Sequence, residues 1–138
     1  MLEATMVDNC YEYFSNNCIY NRIEKEVPFL SRCIDMVLIV RECETITIEF
    51  KINNWRQAIR QAKNHMLGAD RAYICLPKRE PSIELVNALH EAGIGLFLYC
   101  IDDDQTIFEC LPAPVNKKKV KVFNTQLLNT LDRISSNA

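Results

Sequence analysis

Two uninterrupted apolar runs, Arg71-Ala72-Tyr73-Ile74-Cys75-Leu76-Pro77 and Gly95-Leu96-Phe97-Leu98-Tyr99-Cys100-Ile101, most constrain what this chain can fold into. Each has the length of a strand and too little polarity to leave one face in water, the pattern of strands covered on both sides. Between them, residues 82–92 place Ile83, Val86, Leu89 and Ala92 at helical spacing, with Leu85 alongside, and stop at Gly93. Strand, helix and strand in that order make a crossover unit, which pairs its strands in parallel.

The upstream half reads differently. Leu2, Met6, Cys10, Tyr13 and Phe14 recur at helical spacing over residues 2–16, with Asn16-Asn17 as the stop. Residues 21–29 read as extended and end at Pro28, which cannot donate to a central ladder. Two strand-like stretches follow, Ile34–Val40 and Thr45–Ile52, joined by Arg41-Glu42-Cys43-Glu44. Asn53-Asn54 opens a helix over Trp55–Leu67, and Gly68 ends it. After the second apolar run, Asp102-Asp103-Asp104 forms a solvated turn into a strand over Gln105–Leu111. Pro112 and Pro114 break the pattern, Phe123–Ile134 closes the fold as a helix, and Ser135–Ala138 frays. The order αβββαβαββα predicts an α/β fold, a mixed β-sheet flanked by helices.

A chain of 138 residues is the size of one domain, so residues 1–138 are expected to share a single core. No apolar run approaches the ~18–20 residues that span a bilayer. Met1-Leu2-Glu3-Ala4-Thr5 lacks the basic and apolar stretches of a signal peptide, and the expected location is cytoplasmic, without a membrane partner. The seven cysteines are scattered without a CxxC pair, and His65 lies far from His90, which argues against zinc. Cys33, Cys75 and Cys100 adjoin apolar runs and read as reduced thiols packed as small hydrophobes. Trp55, Tyr73 and Tyr99 read as packing residues, His65 as a surface residue near a helix end, and His90 as a dipole partner. A net charge of −2 excludes a global basic field. Positive charge is gathered in two places, Arg56, Arg60 and Lys63, and Lys117, Lys118, Lys119 and Lys121.

Charge inside the two middle strands is the anomaly. Asp35 interrupts Ile34–Val40, and Glu49-Phe50-Lys51 interrupts Thr45–Ile52 fourteen residues later. Acids and lysines are depleted from strands and seldom buried without partners. Alternation puts Thr45, Thr47, Glu49 and Lys51 on one face. A three-residue loop closed by Val40 opposite Glu44 sets Asp35 opposite Glu49, ~4.5–5.5 Å apart at Cβ. A one-residue slip would separate them. Opposed carboxylates need compensation, and a divalent cation with Lys51 supplies it. Oxygen ligands suit Mg²⁺ or Mn²⁺, and the Phe50 carbonyl is a further candidate ligand. Cation, acids and lysine together are what metal-assisted phosphodiester hydrolysis requires.

Asp35 and Glu49-Phe50-Lys51 resemble the motif of the PD-(D/E)XK, or restriction-endonuclease-like, nuclease superfamily, with Ile34 in place of the proline. The resemblance implies a restriction-endonuclease-like αβββαβ core over about residues 2–77, with a C-terminal αββα extension over about 82–134. It also implies a glutamate on the first helix at the metal site, for which Glu3 fits and Glu12 is the other candidate. A glutamine on the helix after the motif would be Gln57 or Gln61, and Ala58-Ile59-Arg60-Gln61-Ala62 is the closer match to the family pattern.

The expected function is therefore a Mg²⁺- or Mn²⁺-dependent nuclease acting on DNA. Asp35, Glu49, Phe50 and Glu3 would hold metal, Lys51 would position or activate water, and Gln61 would orient substrate or the lysine. Arg56, Arg60, Lys63, Lys117, Lys118 and Lys119 would contact phosphates, and a homodimer or partner protein would add affinity. The competing expectations are a catalytically inactive module that keeps the fold to bind protein or nucleic acid, a different α/β enzyme with its site in the later strands, and a plain cross-strand ion pair between Asp35 and Lys51.

Overall fold

The computed structural model describes residues 2–41, 44–100 and 106–136; Glu42-Cys43, the turn expected at Asp102–Asp104 and the end of the tail lie outside them. The elements follow in the expected order: α1 (Glu3–Ser15), β1 (Tyr20–Phe29), β2 (Arg32–Val40), β3 (Glu44–Phe50), α2 (Trp55–His65), β4 (Arg71–Pro77), α3 (Ile83–Ala92), β5 (Gly95–Tyr99), β6 (Ile107–Leu111) and α4 (Lys121–Ser136). All six strands form one sheet in the order β1-β2-β3-β4-β5-β6. The pairs β3/β4 and β4/β5 are parallel and carry α2 and α3 as their crossovers; the other three pairs are antiparallel. The fold is a mixed six-stranded sheet with four helices.

Three helices cover one face of the sheet. Ala58, Ala62, Leu85 and Leu89 of α2 and α3 pack on Ala72, Ile74, Leu76, Leu96 and Leu98. Leu127 and Leu131 of α4 cover the same face further along, against Val27, Phe29, Val37 and Ile39. The opposite face belongs to α1, whose Met6, Cys10 and Phe14 meet Met36, Leu38, Ile48, Phe50, Tyr73 and Phe97. β4 and β5 are thus buried on both sides, which is why their sequences do not alternate. Each fully buried Leu or Phe here contributes about 1.5–3 kcal/mol, and cutting Leu89 to alanine would cost about 2–5 kcal/mol.

Local chemistry explains most boundaries. Asn54 caps α2 by accepting from Gln57 N, and Ser82 caps α3 by accepting from Leu85 N. Gly93 ends α3 at φ 71°, a conformation that glycine adopts without strain. Pro28 sits in the edge strand β1, as its missing donor requires. Leu30 and Ser31, at φ 48° and 64°, make the two-residue turn between β1 and β2 without the usual Asn-Gly.

Several expectations are corrected. The helix α2 stops at His65 with Met66 as its cap, one turn before Gly68. Gly68 serves close packing instead, since a Cβ there would lie 2.6 Å from the Phe29 ring. The buried stripe of α3 is Leu85, Leu89 and Ala92, while Ile83 is 76% exposed. Cys10, Cys75 and Cys100 are buried thiols, but Cys33, near the start of β2, is exposed. Trp55, Tyr73 and Tyr99 are core residues, as read. Among the described residues, no helix is long and apolar enough to cross a membrane.

Candidate active site

The two middle strands part at the charged residues. β2 and β3 pair from Val40↔Glu44 to Met36↔Ile48, the register predicted from the loop length, and the ladder then ends. One step further, side chains take over the backbone's hydrogen bonding. The Phe50 N–H donates to Asp35 Oδ2 at 2.9 Å, and the Asp35 N–H donates to Glu49 Oε1 at 3.3 Å. Each acid thereby holds the other's strand.

The cause lies on β1 as well as β2. Met36 packs with α1 and Ile34 with α4, so two residues that strict alternation would put on one face lie on opposite faces. Their partners Lys25 and Val27 bracket Glu26, which has φ 52°. The pleat is broken at Glu26 and Asp35, and the Asp35 carboxylate turns across to β3 rather than up or down. The expected direct opposition on one face is therefore replaced by an in-plane clasp.

Glu49 is 3% exposed, on the face covered by α2. Burial pushes its carboxyl up to about 8; the Asp35 charge and a hydrogen bond between the two carboxyls add to this, and Asp35's backbone donor and the Lys51 charge only partly oppose it. Glu49 therefore favours its protonated form, because a second charge buried beside the Asp35 carboxylate is costly. That donor set fits a hard divalent cation, which would replace the proton as the compensating charge.

Lys51 lies one residue past the ladder, with its backbone N–H on the Cys75 carbonyl at 3.1 Å. Its ammonium is 4.0 Å from Glu3 Oε1 of α1, so the first turn of α1 closes the site from the other side. Glu3 and Asp35 line one cleft of about 260 Å³ with Ala4, Val7, Lys25 and Glu26. Glu12 is exposed two turns along α1, and of the two candidates only Glu3 lines that cleft. Among the described residues no group of three or more His, Cys, Asp or Glu is set to hold a metal.

On α2, Gln57 is spent on the helix start, near Asn54. Gln61 shares the inner stripe with Ala58 and His65, and its Oε1 is buried without a hydrogen bond. His65 overturns its reading as a surface residue. It is 2% exposed, and its Nδ1 lies 3.3 Å from Glu49 Oε1. Burial, with the Arg32 charge nearby, lowers its pKa to about 4. Its spacing of four from Gln61 was the available signal.

The basic residues divide. Arg60 and Lys63 are exposed on α2. Arg56 is committed to Glu84 at 2.9 Å and lies 4.2 Å over the Trp55 ring. Lys117 and Lys118 are exposed, but Lys119 binds Asp70, which accepts from Thr45 N and Oγ1 at the start of β3. Thr45 and Glu49 are four residues apart, so this cluster lies about 13 Å from the acids along the strand, and the fold does not gather it at the site.

In fold, the chain is similar to SPO1766, a protein of unknown function from Silicibacter pomeroyi, at TM-score 0.70 and 16% identity over 99% of this chain and 88% of that one. The solved structure of Pyrococcus furiosus SfsA in complex with Ca²⁺ aligns with 77% of this chain and 58% of that one, at 14% identity and TM-score 0.42. No protein-family model matches the chain, and no curated protein does. Fold and site together define a mixed α/β protein in which a buried carboxylate, Glu49, meets a half-buried one, Asp35, where β2 and β3 part.

Proposed function

We propose that this chain is a divalent-metal-dependent nuclease that hydrolyses phosphodiester bonds in DNA, on a restriction-endonuclease-like core over about residues 2–77. The observation that carries the reading is the clasp between Asp35 and Glu49, with Lys51 two residues beyond. Structural ion pairs do not need two acids forced together at the end of a ladder, with a lysine beside them.

Asp35 and Glu49 hold Mg²⁺ or Mn²⁺ through carboxylate oxygens, with the Phe50 carbonyl and Glu3 as further donors. When bound, the ion stabilises charge on the scissile phosphoryl group and acidifies water. Lys51 orients the attacking water and neutralises charge that builds at the phosphate. Gln61 steadies substrate or lysine from α2. Arg60 and Lys63 contact phosphates near the site, with weaker help from Arg56, while Lys117 and Lys118 take up strand further away and Lys119 mainly braces the fold. With a net charge of −2, a second copy or a partner protein supplies the remaining affinity for DNA.

One observation favours a second reading, an inactive module binding protein or nucleic acid: Glu3 is drawn to Lys51 and no third acid completes a metal cluster among the described residues. A panel of single-stranded, duplex and branched DNA and of RNA, with Mg²⁺, Mn²⁺ or chelator, separates the two. The nuclease reading expects metal-dependent cleavage of at least one DNA that Lys51→Ala abolishes. Wild type and Lys51→Ala behaving alike on every substrate would overturn the catalytic reading, and absence of Mg²⁺ binding as well would favour the inert module.

A further inference from the structure

The Glu49 carboxyl has a neighbour that neither the motif nor the resemblance assigns. His65 projects from the last turn of α2 into the same buried layer, and its Nδ1 sits 3.3 Å from Glu49 Oε1 without completing a hydrogen bond. Gln61 Oε1, one turn earlier on the same stripe, and Thr47 Oγ1, two residues before Glu49 on the same strand face, are also buried and unsatisfied. Buried polar atoms are nearly always paired, and each one left alone costs about 1–3 kcal/mol. Three such atoms on α2 and β3 leave hydrogen-bonding capacity open in this buried layer, and of them His65 Nδ1 is the one set 3.3 Å from the Glu49 carboxylate.

We propose that His65 is a positioning residue: when Glu49 holds a divalent cation, the His65 Nδ1–H donates to the Glu49 carboxylate and fixes the direction of its ligating oxygen. The inference rests on the reading of Asp35 and Glu49 as a cation site and deepens it. The arrangement suits the task. Asp35 N–H already restrains Glu49 Oε1 from the strand side, and a donor from α2 restrains the same carboxylate from the helix side. Partners of this kind around ligating groups typically govern metal affinity by 10–100-fold. His65 does not reach the substrate; it acts through Glu49.

The test compares His65→Asn, whose amide nitrogen can stand where Nδ1 stood, with His65→Gln, which puts it further out, and His65→Leu, which has no donor. The readout is the Mn²⁺ concentration for half-maximal DNA cleavage, with thermal unfolding measured on each variant. The Gln and Leu variants should need about 10–100-fold more Mn²⁺, with the Asn variant close to wild type and saturating Mn²⁺ restoring the rate in all. Equal Mn²⁺ dependence in wild type and all three variants would overturn the role while leaving the cation site standing. A second measurement needs no variant: ¹⁵N shifts of the imidazoles, of which the chain has only two, during a Mg²⁺ titration of wild type. A saturable change at His65 Nδ1 supports the bond, and an unmoved signal while Mg²⁺ supports cleavage overturns it. If wild type neither binds Mn²⁺ nor cleaves DNA, the cation site itself fails and this role falls with it.

Discussion

Asp35 and Glu49 are joined by a side-chain clasp in place of a ladder pair: the Asp35 N–H donates to Glu49 Oε1, and the Asp35 carboxylate accepts from the neighbouring Phe50 N–H. The same two groups that hold the strands at their fork are those offered to a cation. Structure and chemistry are therefore coupled at one point, and conservative substitutions can pull them apart.

Asp35→Asn keeps an acceptor for the Phe50 N–H, whereas Asp35→Ala leaves that donor without one. Urea unfolding should show the alanine variant less stable by about 1–3 kcal/mol and the asparagine variant close to wild type. Equal loss in both would mean that the clasp contributes no stability.

The buried Glu49 makes the metal-free protein sensitive to alkali. Its folded pKa, about 8, lies above the ordinary 4.5, so the neutral acid favours the fold; that stability is complete below 4.5 and is lost as pH rises through 8. His65 works at the other end, since its folded pKa of about 4 lies below 6.5 and its contribution is lost as pH falls from 6.5 through 4. Melting temperatures in chelator should therefore drop between pH 6.5 and 8, and Glu49→Gln should flatten that limb. A limb unchanged in Glu49→Gln would assign it to another group.

Asp70 and Lys119 form a brace at the far end of β3, tied to Thr45. Asp70→Ala should lose about 1–3 kcal/mol by leaving the Thr45 N–H unsatisfied, while the cation affinity of the folded protein stays unchanged. Weaker cation binding at full folding would show that the brace and the site are coupled.

Much of this was legible in the sequence because the signals were local. Apolar runs at 71–77 and 95–101, helical spacing between them and Gly93 specified the crossovers, and the short loop after Val40 gave the β2/β3 register. What was hidden depends on contacts distant in the chain. The pleat break at Glu26 and Asp35 carries no glycine to announce it, so alternation put Asp35 on the face of Glu49. His65 is indeed a helix-end residue, but its spacing of seven from Ala58 keeps it on the stripe of α2 that packs over β3, so it is buried and not at the surface. Lys119 reads as one of a solvated run until Asp70, far off in sequence, is brought beside it.

Calorimetric titration of Mn²⁺ into wild type, Asp35→Asn and Glu49→Gln tests the carboxylate pair most directly. The pair read as a cation site predicts saturable binding in wild type and at least about tenfold weaker binding in each folded variant, since each loses a charged ligand. Absence of binding in wild type, or equal binding in all three, would contradict it.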